Sequence, residues 1–178
     1  PVLESLKEAS SSKVPCLVIC SINAPEQIDE AIVERNNKAY EEALRWKDEN
    51  TEHYFKVELL LNHDLPVKIS GVGLGRKLGM GKAAGYFESR EKSGVIICLD
   101  ADCTVARNYL ECINDYFYSN TKIKCANIYF EHPYEELETR LKNAIVQYEL
   151  HLRYFRMALE YIDFPYPFHT VGSSMAVV

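Results

Sequence analysis

The sequence predicts an α/β fold, a three-layer α/β/α domain whose mostly parallel central sheet is covered by helices. Short apolar runs alternate with segments of helical period along the whole chain. The run VIICL at residues 95–99 is apolar without interruption and rich in β-branched residues, the pattern of a strand buried on both faces. That run stops at Asp100, and Asp102 follows one residue later. Carboxylates stay out of a core unless paired or metal-bound, so two of them here should face a cleft. Open α/β sheets bind ligands outside the carboxyl ends of their strands. Two hard oxygen ligands in that position suit Mg²⁺ or Mn²⁺ carrying a substrate phosphate. The bland alternative makes Asp100 the start of a turn and Asp102 the cap of a helix beginning near Ala106.

The elements follow in order. Residues 14–22 (VPCLVICSI) read as the first strand. A helix is expected next, with Pro25 in its first turn and Glu26, Asp29 and Glu30 complementing its positive end. Its apolar positions Ile28, Ile32, Ala39, Ala43 and Leu44 recur at helical spacing, with Trp46 near the end. A second strand covers about residues 54–61, followed by a glycine-rich loop, a helix around residues 82–91, and the strand ending at Asp100. Residues 107–119 read as a helix and 124–130 as a strand. A long helix is expected to open at Pro133, with Leu137, Leu141, Ile145, Tyr148, Leu152, Phe155 and Leu159 as one core-facing stripe. Residues 161–168, with Pro165 and Pro167, read as an aromatic loop. The closing GSSMAVV reads as a strand cut off mid-pattern, which predicts a single domain spanning residues 1–178, truncated at the C-terminus of a longer polypeptide.

A length of 178 residues is enough to bury one core, and 47% hydrophobic with 26% charged residues is a globular composition. A net charge of −6 argues against nucleic acid as a partner, because binding a phosphate backbone needs a basic face. No stretch approaches a transmembrane segment, and the N-terminus lacks the basic start and apolar core of a signal peptide. The six cysteines form no C-x-x-C pair, and Cys16, Cys20 and Cys98 sit in apolar runs as small hydrophobes. The expected compartment is therefore the reducing cytoplasm. The five histidines show no metal-binding spacing, and His151 is expected to be structural.

Six of the eight glycines (71, 73, 75, 79, 81 and 85) fall in KISGVGLGRKLGMGKAAGY. Between Leu65 and Phe87 the chain carries Lys68, Arg76, Lys77 and Lys82 and no acidic residue. Glycines allow close backbone approach, and N–H groups at a helix start can hold phosphate, so Arg76, Lys77 and Lys82 are candidates for neutralising a diphosphate. The segment is not a P-loop: Arg76 occupies the first glycine position and Ala83 replaces the hydroxyl residue.

The segments VPCLVICSIN (14–23), GVGLGRKLGMGKAAG (71–85), VIICLDADC (95–103) and HTVGSSMAVV (169–178), in this order, resemble family 2 glycosyltransferases of the Rossmann-like GT-A fold. The resemblance implies a metal-dependent, inverting transfer of a sugar from a nucleoside-diphosphate donor to a hydroxyl of a glycan or lipid-linked acceptor. It places Ile22 and Asn23 along the nucleotide, Asp100 at the ribose, and Ala101 among the nucleotide-sugar-binding residues. Asp102, with Asp100, would hold Mn²⁺ or Mg²⁺ on the diphosphate. Arg76 takes the position of a basic residue near the nucleotide, and His169, Gly172 and Ser173 border the transferred sugar. The acidic pair that the family has at the end of its second strand is represented at best by Asn62 and Asp64. The family's general base lies downstream of the GSSMAV-like strand, beyond Val178 here. A full-length protein of this kind would work in the cytoplasm or at the inner face of a membrane.

Two other functions use the same residues. LDADCT fits the D-x-D-x-T signature of haloacid-dehalogenase-like phosphatases, with Asp100 as nucleophile and Asp102 as acid/base. That chemistry also needs a later acidic cluster, and the later aspartates, Asp115 and Asp163, are not paired at a strand end. A non-catalytic nucleotide-sugar-binding domain is the other alternative.

Overall fold

The structure, a computed structural model, describes residues 1–168 and 171–178. Helices and strands alternate as α1 (Val2–Ala9), β1 (Cys16–Pro25), α2 (Glu30–Glu49), β2 (Phe55–Leu65), α3 (Val72–Glu88), β3 (Ile96–Cys98), α4 (Tyr109–Ser119), β4 (Cys125–Asn127), α5 (Thr139–Tyr161) and β5 (Met175–Val177). The fold class is α/β. The strands do not form one mostly parallel sheet, however. β1 and β2 run parallel, in register from Cys16 opposite Phe55 to Asn23 opposite Asn62. β5 lies between β3 and β4 and is antiparallel to both. A cleft of about 830 Å³ lies between the two sheets, lined on one side by residues 16–23 and on the other by residues 94–101. No described backbone hydrogen bond crosses it. This is why Val95, Ile96 and Ile97 are half-buried rather than buried on both faces.

The core lies where α1 and α4 meet β2. Phe55 and Val57 point inward while Lys56 between them is exposed, the two-residue alternation of a strand. They pack with Leu6 and Ala9 of α1 and Leu110 of α4, and Trp46 sets its ring edge-on to Phe55 at 5.9 Å. The sequence pattern did not reveal α1. It also braces the turn after Asp102, where the Ser5 hydroxyl accepts from the Val105 amide at 3.2 Å and Glu8 pairs with Arg107 at 3.3 Å.

Three helices depart from expectation. α2 begins at Glu30 rather than near Pro25, because the Asp29 carboxylate caps it by accepting from the Ala31 amide at 2.8 Å. Pro25 instead ends β1, opposite Leu65. The glycine-rich segment is no loop: residues 72–88 are helical and none of its glycines has positive φ. α5 opens at Thr139 instead of Pro133, after a turn over residues 134–137.

The expected core stripe of α5 is only half covered, with Leu141, Tyr148 and Phe155 about half exposed and no residue of the helix buried. A second apolar face carries Val146, Leu150, Tyr154, Met157 and Tyr161, about 90° to 180° around the helix from the first. The charged ridge of Lys142, Glu149, Arg153, Arg156 and Glu160 separates the two. Polar contacts anchor α5: Glu149 accepts from the His132 amide (3.2 Å), faces His132 Nδ1 (2.6 Å) and takes Arg153 (2.9 Å). Arg153 also donates to the Tyr129 hydroxyl at 3.1 Å.

Candidate functional site

The carboxyl end of β1, the second turn of α3 and the residues just after β3 converge at one end of the cleft. Asn23 ends the in-register part of β1, and its Nδ2 donates to the Ser70 carbonyl at 3.1 Å, fixing the chain that leads into α3. Gly75 lies under that side chain, and a Cβ there would sit 2.7 Å from Asn23 Oδ1. One residue on, Arg76 reaches across the cleft, and its Nη2 donates to Asp100 Oδ1 at 2.7 Å. Gly172 covers the same guanidinium, and a Cβ there would lie 2.5 Å from Arg76 Nη1. Arg76 Nε is buried without a hydrogen-bond partner. Nη2 holds a carboxylate, and a guanidinium carries five N–H donors on a side chain that is still 25% exposed, so the group has capacity for a second anion.

Several sequence-predicted residues share this space. Ile22, Asn23, Arg76, Asp100 and Ala101 line the cleft. Gly172 and Ser173 occupy the turn closed by the Ser174 amide on the Val171 carbonyl at 2.9 Å. Others stand apart. Lys77 is exposed, about 100° around α3 from Arg76. Lys82 pairs with Glu58 of β2 at 3.5 Å, and Asp64 is exposed on β2. His169 lies outside the described residues.

Asp102 is exposed in the turn in which the Cys103 amide donates to the Asp100 carbonyl at 3.2 Å. It does not cap α4, whose N-cap residue is Asn108. Its carboxylate receives one weak contact, from Cys103 Sγ at 3.8 Å. No group of three potential ligands occurs among the described residues. Asp102 alone, with Asp100 engaged by Arg76, suits a hard cation that arrives already bound to phosphates. Mg²⁺ commonly binds this way, through one or two carboxylates plus substrate oxygens.

Much of the cleft wall is apolar, and burial holds two weakly acidic groups in it, Cys98 and Tyr109, in their neutral forms. Burial pushes the Cys98 thiol up, with Arg76 pulling it down and Asp100 adding to the rise. Burial likewise pushes the Tyr109 phenol up to about 12. Sequence reasoning missed the Ser70 carbonyl and the role of Gly75. The signal available was that residues 71–88 contain no Pro, Asn, Asp or Ser, so the glycines there fit a helix as well as a loop. Comparison with protein families, curated proteins and solved structures gives no match.

Proposed function

We propose that this chain is a nucleoside-diphosphate-sugar-binding glycosyltransferase domain of the GT-A type. The observation that carries the proposal is Arg76, which spans the cleft to Asp100 beneath Gly172 and beside the carboxyl end of β1. A diphosphate entering there would meet a partly exposed guanidinium, and Asp100 would be released toward a ribose hydroxyl. Asn23 would border the nucleotide, and the turn at Gly172 and Ser173 would border the sugar. Strand placement is consistent with a Rossmann-like sheet, since the free edges of β1 and β3 line the same cleft and joining them would give the order β2-β1-β3-β5-β4. When bound at Asp102, Mn²⁺ or Mg²⁺ would neutralise charge on the departing diphosphate. Arg76 would supply the protein's own share of that neutralisation. No described residue is assigned as general base.

A phosphatase would use Asp100 as its nucleophile and also needs a later acidic cluster, whereas the later aspartates lie apart, Asp115 in α4 and Asp163 in the turn after α5. Arg76→Ala tests the proposal. Binding of UDP or GDP, measured by calorimetry, should weaken about tenfold to a hundredfold, the worth of a charged hydrogen bond. Binding of uridine or guanosine should change less than about threefold. Equal losses for nucleotide and nucleoside would remove Arg76 from a phosphate site. Phosphate release from a small phosphoester, abolished by Asp100→Asn, would establish the phosphatase instead.

A further inference from the structure

After α5 the chain does not meander. Asp163 adopts a left-handed conformation, φ 51°. The Ile162 amide returns to the Ala158 carbonyl and the Phe164 amide to the Leu159 carbonyl, at 3.2 and 2.9 Å. This is the hydrogen-bonded helix ending in which a left-handed residue reverses the chain, with Asp in the place usually held by Gly. Pro165 and Pro167 then fix two of the next four φ angles. Around Pro167 the Phe168 amide closes a tight turn onto the Tyr166 carbonyl at 2.9 Å. The outcome is a stiff loop that presents its rings to solvent: Tyr166 is 66% and Phe168 48% exposed, with centroids 6.2 Å apart in a T-shaped pair. Neither ring lies in the core, so packing does not explain them.

Phe168 is four residues before Gly172, and a chain of that length spans at most about 14 Å. The Cα of Phe168 is therefore held within about 14 Å of the turn that covers Arg76. Resting on the nucleotide-sugar reading above, we infer that Tyr166 and Phe168 form a stacking platform for the acceptor, and that the acceptor is a neutral glycan. Pyranose rings offer flat faces of C–H groups that cover an aromatic ring while their hydroxyls stay in water or reach a phenol. Tyr suits this as a rigid amphipathic surface with little entropy to lose. The prolines and the helix ending pre-order the platform, which lowers the cost of binding. Charge disfavours an anionic membrane as the occupant: residues 157–168 carry Glu160 and Asp163 and no Lys or Arg, whereas lipid-surface segments are basic.

The test is a saturation-transfer NMR titration of the chain with three neutral hexasaccharides: β-1,4-linked glucose, α-1,4-linked glucose and β-1,4-linked N-acetylglucosamine. At least one should bind. The double variant Tyr166→Ala with Phe168→Ala should lose tenfold or more in affinity, while Tyr166→Phe with Phe168→Tyr keeps it and controls for folding. UDP and GDP binding should be unchanged in both, which separates failure of the platform from failure of the donor site. The proposal is overturned if no hexasaccharide binds or if binding survives the alanine pair. Ring-dependent sedimentation with phosphatidylglycerol vesicles in place of sugar binding would likewise overturn it, in favour of a membrane surface.

Discussion

Gly172→Ala reports on the geometry at Arg76 without replacing a charged residue. The added methyl would lie 2.5 Å from Arg76 Nη1 and 3.0 Å from Cζ, closer than such atoms approach. A guanidinium is the far end of a flexible side chain, so it moves rather than the backbone, and its 2.7 Å contact with Asp100 is lost. With side chains 25% and 41% exposed, that pair is worth about 0.2–1 kcal/mol. Gly172 lacks a positive φ, so alanine also stiffens the unfolded chain, a gain of about 0.4–1 kcal/mol. The two effects nearly cancel, and the single variant should unfold close to wild type. A double-mutant cycle with Arg76→Ala exposes them: Gly172→Ala should stabilise the Arg76→Ala protein but not the parent. Urea unfolding of the four proteins should give a coupling of about 0.5–1 kcal/mol. Additivity within about 0.3 kcal/mol would refute the contact between Gly172 and Arg76.

Three further outcomes are expected. Gly79→Ala, Gly81→Ala and Gly85→Ala meet open space in α3 and should each stabilise by about 0.5–1 kcal/mol in thermal unfolding; neutral or destabilising results would return the segment to a loop. Burial works to raise the Glu149 carboxyl, but hydrogen bonds from His132 and the charge of Arg153 outweigh it and hold the group below its ordinary 4.5. Its stabilisation is therefore complete above that value and lost as pH falls through the lower folded one. Thermal unfolding between pH 6 and 3 should show a shallower acid loss in Glu149→Gln than in wild type, and parallel curves would contradict this. Burial pushes the Cys16 thiol up to about 11, while Cys112 and Cys125 are exposed. A thiol-labelling time course at pH 8 should therefore modify Cys112 and Cys125 well before Cys16, and early loss of Cys16 would contradict its burial.

Much of this was legible in the sequence where a residue pattern has one physical solution. The apolar run before Asp100 had to be a strand, and the alternation of elements had to give an α/β chain. The approach of Arg76 to Asp100 was legible only as a shared preference for phosphate, since 24 residues separate them and no local pattern encodes the meeting. The glycines misled because each costs a helix about 1 kcal/mol, a sum that tertiary contacts such as Gly75 beneath Asn23 offset without leaving a periodic trace. The α5 stripe misled for the opposite reason: periodicity shows that a face is apolar and says nothing of whether anything lies against it. The antiparallel entry of β5 also left no trace, because GSSMAVV reads equally well in either direction.

The most direct measurement is a calorimetric titration of the chain with UDP and with GDP, run in Mn²⁺ and again in EDTA, on wild type and on Asp102→Ala. A donor site predicts that at least one nucleotide binds, that chelation weakens it by tenfold or more, and that Asp102→Ala behaves in Mn²⁺ as wild type does in EDTA. Absence of binding by either nucleotide, or binding equally tight without metal and without Asp102, would contradict a metal-assisted diphosphate site at the end of this strand.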